Sequence, residues 1–358
     1  MSVFENKVST RVAAWDVLKL FAIFLVIYGH CLQHLLEVDG KNNPLFLWIT
    51  SFHMPLFMAL SGLFARKAFQ LRFNEYLLKR GRQLLLPCVS WSIIILMVVG
   101  VLGEWTSLSI KSFAIDSLWF LKSAFVCGIL GFWALKPHKN RIVWVLFTLL
   151  LSQMCWIWNV FMMYPCFLLG MCIFSYLSWI VKHKRTILFI SGLCFFSCSL
   201  YLSFTPDFWI LNKGIRAMLF SGVYSLQESL GIIIEVMLKR YIQLFVGLCG
   251  SLFFIVLFYI CFSRLHNGLF KIFANWGQYT LGIYVIQTVV LEIVLAKFVS
   301  FSSSYLAIFD GFIAPVISII VLCICLYINI LILSKGGVMA TILLGIKYTK
   351  KFDSNKKR

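Results

Sequence analysis

The sequence predicts an all-α integral membrane protein: a bundle of about ten transmembrane helices with both termini in the cytoplasm. Three observations carry this. Hydrophobic residues make up 61% of the 358 residues and charged residues 13%, whereas soluble domains carry about 25% charged residues. The mean hydropathy is +0.93, and windows of the ~20 apolar residues needed to cross hydrocarbon recur along the chain. The net charge of +19 is gathered in short stretches between these windows and at the ends. Such clusters mark loops held inside against anionic lipid. No aromatic-basic module accompanies them, so nucleic acid is not expected as a partner and membrane lipid is.

Membrane helices are expected at about 12–36, 44–64, 83–103, 118–135, 142–158, 160–181, 186–204, 241–262, 278–298 and 306–333. Basic residues set their direction. Lys7 and Arg11 precede the first helix, and a basic cytoplasmic loop spans 66–82. Lys136, Lys139 and Arg141 follow, then Lys182, Lys184 and Arg185, then Arg264 and Lys271. Residues 1–335 read as one polytopic domain and 336–358 as a basic cytoplasmic tail. Keeping every cluster inside needs an even number of crossings. That parity places 205–240, with its mixed charges, outside the cytoplasm, with a helix lying against the membrane. The first apolar stretch is long and lacks a small-residue cleavage site, so it is expected to remain as an anchor. The twelve cysteines are scattered through apolar segments without a C-x-x-C pair, and read as small buried thiols.

The polar residues inside the apolar segments carry the functional signal. The first helix contains Asp16, Lys19 and His30. At ~100° per residue, Lys19 and His30 lie within ~20° of each other around the helix, and Asp16 within ~40° of His30. Asp16 and Lys19, three residues apart, can form an ion pair. Intramembrane ionisable groups are costly and face an interior or a water-filled path. His30, roughly 16 Å along the helix from Lys19, is the candidate general base. A bland alternative is a packing cluster with snorkelling ends. His34 lies one turn beyond His30, and His53 in the second helix can face it. Two histidines at that spacing resemble a metal pair, but no matching cysteine or carboxylate spacing completes a set, so no metal is expected. His34 and Asp39 also fit an H-x4-D pattern; without a Gly-rich phosphate block downstream, the match is read as chance. Pro55, Ser61 and Gly62 suit a broken helix and close packing. Arg80 and Arg82, just before Pro87, are either topological anchors or an anion site, since guanidinium matches phosphate geometry.

Together these stretches resemble the membrane acyltransferase 3 family. The resemblance rests on Asp16-x2-Lys19-x10-His30, on Phe52-His53-Met54-Pro55-Leu56-Phe57 with Ser61-Gly62, and on the Arg-rich run before Pro87. Trp119-Phe120-Leu121 and Trp276-Gly277-Gln278-Tyr279-Thr280-Leu281-Gly282-Ile283-Tyr284 extend it over nearly the whole chain. Two positions depart from the pattern. Arg80-x-x-Gln83, with Arg82 between, stands where R-x-x-R is frequent, and Gln287 stands where many relatives carry His.

The resemblance implies a ten-helix bundle that moves an acyl group from cytoplasmic acyl-CoA to an acceptor on the far side, often a glycan hydroxyl. Acetyl-CoA is the expected co-substrate. His30, Asp16 and Lys19 are the expected catalytic residues, and Arg80, Arg82 and Trp119 the donor site. His34, His53 and Tyr284 are expected to line the acceptor site or channel. His30 either deprotonates the acceptor hydroxyl or carries the acyl group transiently. No esterase-like domain follows, so the membrane unit is expected to complete the transfer. Phe208, Trp209, Asn212, Tyr224 and Gln227 in the external region suit a carbohydrate or lipid-linked sugar. The oligomeric state stays open, a homo-oligomer included. The rival reading is a transporter or flippase of such an intermediate, and a third is a non-catalytic partner in an envelope assembly.

Overall fold

The computed structural model describes residues 13–37, 42–66, 68–103, 117–135, 140–155, 157–205, 226–262 and 268–346. They are helical almost throughout. The apolar helices are α1 (Ala13–His34), α2 (Pro44–Ala65), α3 (Phe73–Val101), α4 (Trp119–Leu135), α5 (Arg141–Met154), α6 (Ile157–Ser175), α7 (Lys184–Ser203), α8 (Leu226–Phe262), α9 (Thr280–Phe298) and α10 (Leu306–Lys335). Eight of the described helices are long and apolar enough to cross a membrane; α4 and α5 are apolar but shorter. The protein is a multi-pass membrane protein. Outward faces are apolar, as on α5 where Ile142, Leu146 and Leu150 are exposed, which is what lipid contact demands.

Three boundaries differ from the sequence reading. α3 begins at Phe73 rather than near 83, so much of the expected basic loop is helix. Tyr76 is fully buried there against Phe132, which gives this polar stretch an inward apolar face. α8 begins at Leu226 rather than near 241; an ion pair of Lys239 with Glu235, at 2.6 Å, lets a charged turn remain helical. Residues 206–225 of the expected external region, including Phe208, Trp209, Asn212 and Tyr224, lie outside the described residues. The tail begins with a packed helix, Gly337–Leu344, where Trp91 of α3 donates to the Leu343 carbonyl at 2.9 Å. Residues 347–358 lie outside the described ones.

α1 is the central helix. It packs on α2, α8, α9, α10 and the short helix Gly268–Trp276. α2 packs most extensively on α6, because two glycines remove the side chains between them. A Cβ at Gly62 would overlap the Phe167 carbonyl, and one at Gly170 the Ala59 carbonyl. Small residues are what allow such backbone approach in lipid. Gly277 does the same for α1: a Cβ there would strike the Asp16 carbonyl. Pro55 lacks the N–H that would bond the Ser51 carbonyl, and α8 meets that spot with Gly247.

Candidate active site

α1 carries two polar groups a long way apart. At its first turns Lys19 Nζ donates to Asp16 Oδ1 at 2.9 Å, and the ammonium also sits 4.3 Å from the Phe64 ring centroid on α2. Asp16 is buried. At the far end His30 stacks on His34, ring centroids 5.6 Å apart, as the i,i+4 spacing dictates.

The partner of His30 comes from α9. His30 Nε2 lies 3.5 Å from Glu292 Oε1. That same oxygen accepts from Gln287 Nε2 at 2.9 Å and from Thr288 Oγ1 at 3.1 Å. Residues Thr288–Leu295 form a π-helical segment, a feature frequent at functional sites. It lets Gln287, Thr288 and Glu292 converge. His30 Nδ1 is buried and has no hydrogen-bond partner among the described residues. With Nε2 turned to the carboxylate, Nδ1 keeps a lone pair able to take a proton.

One ligand atom each from His30, His34 and Glu292 fall within 4.8 Å of one another, so among the described residues these three form the group able to hold a divalent cation. The third ligand is Glu292; His53 lies outside the group, with Nδ1 bonded to its own helix at the Ile49 carbonyl, 2.8 Å away. The carboxylate oxygen facing His30 already accepts two hydrogen bonds.

A cavity of about 200 Å³ opens beside Lys19. Arg80, Ser61, Phe57, Phe120 and Tyr284 also line it, with Met54, Leu60 and Leu84 among its apolar wall. The structure therefore brings Lys19, Arg80 and Tyr284 to one cavity. Thr288 links that cavity to the histidine site: its hydroxyl lies 3.4 Å from the Tyr284 carbonyl and 3.1 Å from Glu292. Trp119 stands next to the cavity, edge-on to Phe120 with centroids 6.1 Å apart, but does not line it. Arg82 sits in the π-helical turn Gly81–Leu85 and is not in the lining; its Nε is buried without a hydrogen-bond partner among the described residues.

Sequence reasoning overlooked Glu292. A lone acid inside the apolar segment 278–298 is the same signal that marked Asp16 and Lys19.

Comparison with known proteins agrees. The acyltransferase 3 family profile, described as an acyltransferase domain, matches residues 12–333. Nodulation protein NolL of Mesorhizobium japonicum is 32% identical over 150 residues, 38% of this chain and 39% of its own length. Nodulation protein NolL of Sinorhizobium fredii is 36% identical over 91 residues, 24% of this chain and 25% of its own. The chain thus aligns with less than half of either curated relative. No solved structure matches. With the profile running from the start of α1 almost to the end of α10, this chain belongs to the acyltransferase 3 family.

Proposed function

We propose that the protein transfers an acetyl group from cytoplasmic acetyl-CoA to a hydroxyl of an extracytoplasmic glycan or lipid-linked sugar. One observation carries the reading: a single helix, α1, holds Lys19 on the wall of a cavity and His30 paired with Glu292 deeper in the bundle. Arg80 and the Asp16-paired Lys19 put cationic groups in the cavity wall, which suit the phosphates of a coenzyme A donor. The rest of the lining is largely apolar and suits an acyl-pantetheine arm. With the basic clusters inside, Lys19 and Arg80 face the cytoplasm and His30 stands toward the outer half. Family membership favours this over a transporter.

His30 takes the proton of the acceptor hydroxyl as its oxygen attacks the thioester carbonyl. The new C–O bond forms, the C–S bond breaks, and the proton passes to the departing sulfur, giving coenzyme A thiol. Glu292 orients the ring and stabilises the imidazolium that forms in between. In the two-step version a ring nitrogen of His30 attacks the thioester carbonyl, the C–N bond forms as C–S breaks, and the ring N–H proton passes to the sulfur; the acceptor hydroxyl then takes the acyl group as C–N breaks, and its proton returns to the ring. His34, stacked on His30, borders the acceptor side. Residues 205–240 supply acceptor contacts in either version.

Purified protein incubated with acetyl-CoA labelled in the acetyl group tests the reading. Label transfer to a glycan acceptor, with release of coenzyme A thiol, supports it. Transport of a glycan without donor turnover would replace it with the flippase reading.

A further inference from the structure

The histidine end of α1 also has the make-up of a metal site. His30 and His34 stand one turn apart, the spacing at which two imidazoles of one helix meet a single ion. Spacing along the chain offers them no third ligand, but α9 brings one in Glu292. The two ring centroids are 5.6 Å apart, close to the ~5 Å that two imidazoles on one tetrahedral ion show when each Zn–N bond is about 2.0 Å. His30 Nε2 lies 3.5 Å from Glu292 Oε1, near the ~3.4 Å between neighbouring ligands of such an ion. Ligand atoms of all three residues fall within 4.8 Å of one another, so a shift of about 1–1.5 Å closes the set.

Glu292 is prepared as a ligand. Gln287 Nε2 and Thr288 Oγ1 both donate to its Oε1, at 2.9 and 3.1 Å. Such bonds fix a carboxylate as the supporting contacts of metal ligands do. An ionised carboxylate has about four lone-pair sites, so Oε2 keeps capacity for an ion. Two imidazoles and one carboxylate are a ligand set that zinc takes with its fourth position open. An ion can also reach the group. The side chains of His30 and Glu292 are 27% and 18% exposed, and Gln33, beside His34 at the end of α1, is exposed.

We propose that His30, His34 and Glu292 bind a zinc ion and that the bound ion reversibly inhibits acyl transfer. The inhibition rests on the reading of His30 as the reacting base; the binding does not. A neutral imidazole carries one proton and one free lone pair. With Nε2–H turned to Glu292, that lone pair is on Nδ1. Zinc on Nε2 occupies this nitrogen and leaves the ring proton on Nδ1. Neither nitrogen can then take the proton of the acceptor hydroxyl or attack the thioester. The ion also draws Glu292 away from its role beside the imidazolium. Lys19 and Arg80 line the separate cavity and are untouched. The signature is a lower kcat at unchanged KM for acetyl-CoA, reversed by a chelator.

Full-length protein, purified without a polyhistidine tag and freed of metal with EDTA, is titrated with zinc chloride in a calorimeter. Wild type is expected to bind with a dissociation constant of about 10 µM or tighter. His34→Gln and Glu292→Gln should each weaken binding at least ~10-fold, since even changes outside the ligand set cost that much. His53→Ala, outside the group, should leave it unchanged. Zinc held by cysteines is common to all variants and drops out of the comparison. In wild type, saturating zinc should lower kcat ~100-fold or more, the scale of a lost general base, and EDTA should restore it. No binding, or equal affinity in wild type, His34→Gln and Glu292→Gln, overturns the site. Binding at the three residues with undiminished transfer overturns the inhibition, and so does transfer that requires zinc. Absence of turnover in zinc-free protein overturns the acetyl-CoA reading, while the titration still decides the metal site.

Discussion

His30 Nε2 faces Glu292 Oε1 at 3.5 Å, which ties α1 to α9. Because Gln287 and Thr288 both donate to that oxygen, the carboxylate is held in place before any substrate arrives. Glu292→Gln keeps the shape and removes the charge that stabilises imidazolium. The expected result is a fall in kcat of ~100-fold or more, in the range of general acid–base contributions, with the KM for acetyl-CoA little changed. Steady-state release of coenzyme A thiol measures it. Near-wild-type kcat would reduce Glu292 to a packing group.

His30→Ala should abolish transfer while the protein still inserts and folds, since one polar side chain is lost from a site about a quarter exposed at the histidine. His53→Ala makes a useful contrast. That ring is satisfied by the Ile49 carbonyl of its own helix, so its loss should lower kcat less than ~10-fold, below the general-base range. If the two variants lose activity equally, His53 belongs to the reacting centre and its helix bond is incidental.

The two arginines of the basic run should behave differently, although the sequence reads them alike. Arg80 lines the cavity and Arg82 does not. Loss of a charge-assisted contact of ~1.5–3 kcal/mol corresponds to ~10- to 150-fold in affinity at 1.4 kcal/mol per decade. Arg80→Ala is expected to raise the KM for acetyl-CoA by that factor, and Arg82→Ala by less than ~3-fold, a change of well under 1.4 kcal/mol. Equal effects would move the donor phosphates onto the π-helical turn itself.

Much of this was legible in the sequence, and what was not has a physical reason. Span positions follow from local hydropathy, and the Asp16–Lys19–His30 face follows from helical period alone. Glu292 could be flagged as an intramembrane acid, but its pairing with His30 is a tertiary fact that no spacing encodes. The start of α3 was hidden because its charges read as loop, while Tyr76 supplies the buried contact that makes it helix. Phe57 and Phe120 read as ordinary core from sequence, and only the cavity between helices distinguishes them from it.

Close packing of α2 on α6 depends on backbone touching backbone at Gly62 and Gly170. Neither position has room for a methyl group. Gly170→Ala should therefore destabilise by about 1–3 kcal/mol, the usual penalty of overpacking, visible as a lower melting temperature in detergent and less folded protein. Gly81→Ala, where nothing lies within 4 Å of the added carbon, should not. Equal melting temperatures for the two would mean the α2–α6 seam opens without penalty.

Orientation can be decided at α7. This helix is a single span of 20 residues, Lys184–Ser203, so its ends emerge on opposite faces. The basic residues Lys182, Lys184 and Arg185 predict a cytoplasmic position for one end. The other end leads through 206–225 to α8, whose 37 residues extend about 55 Å, well beyond a hydrocarbon core of ~30 Å. In a background without native cysteines, Asn212→Cys and Gln227→Cys should react with an impermeant thiol reagent added outside intact cells. Lys182→Cys should react only after permeabilisation. The reverse pattern would put the basic clusters outside, turn Lys19 and Arg80 away from cytoplasmic acetyl-CoA, and remove residues 205–240 from the acceptor side.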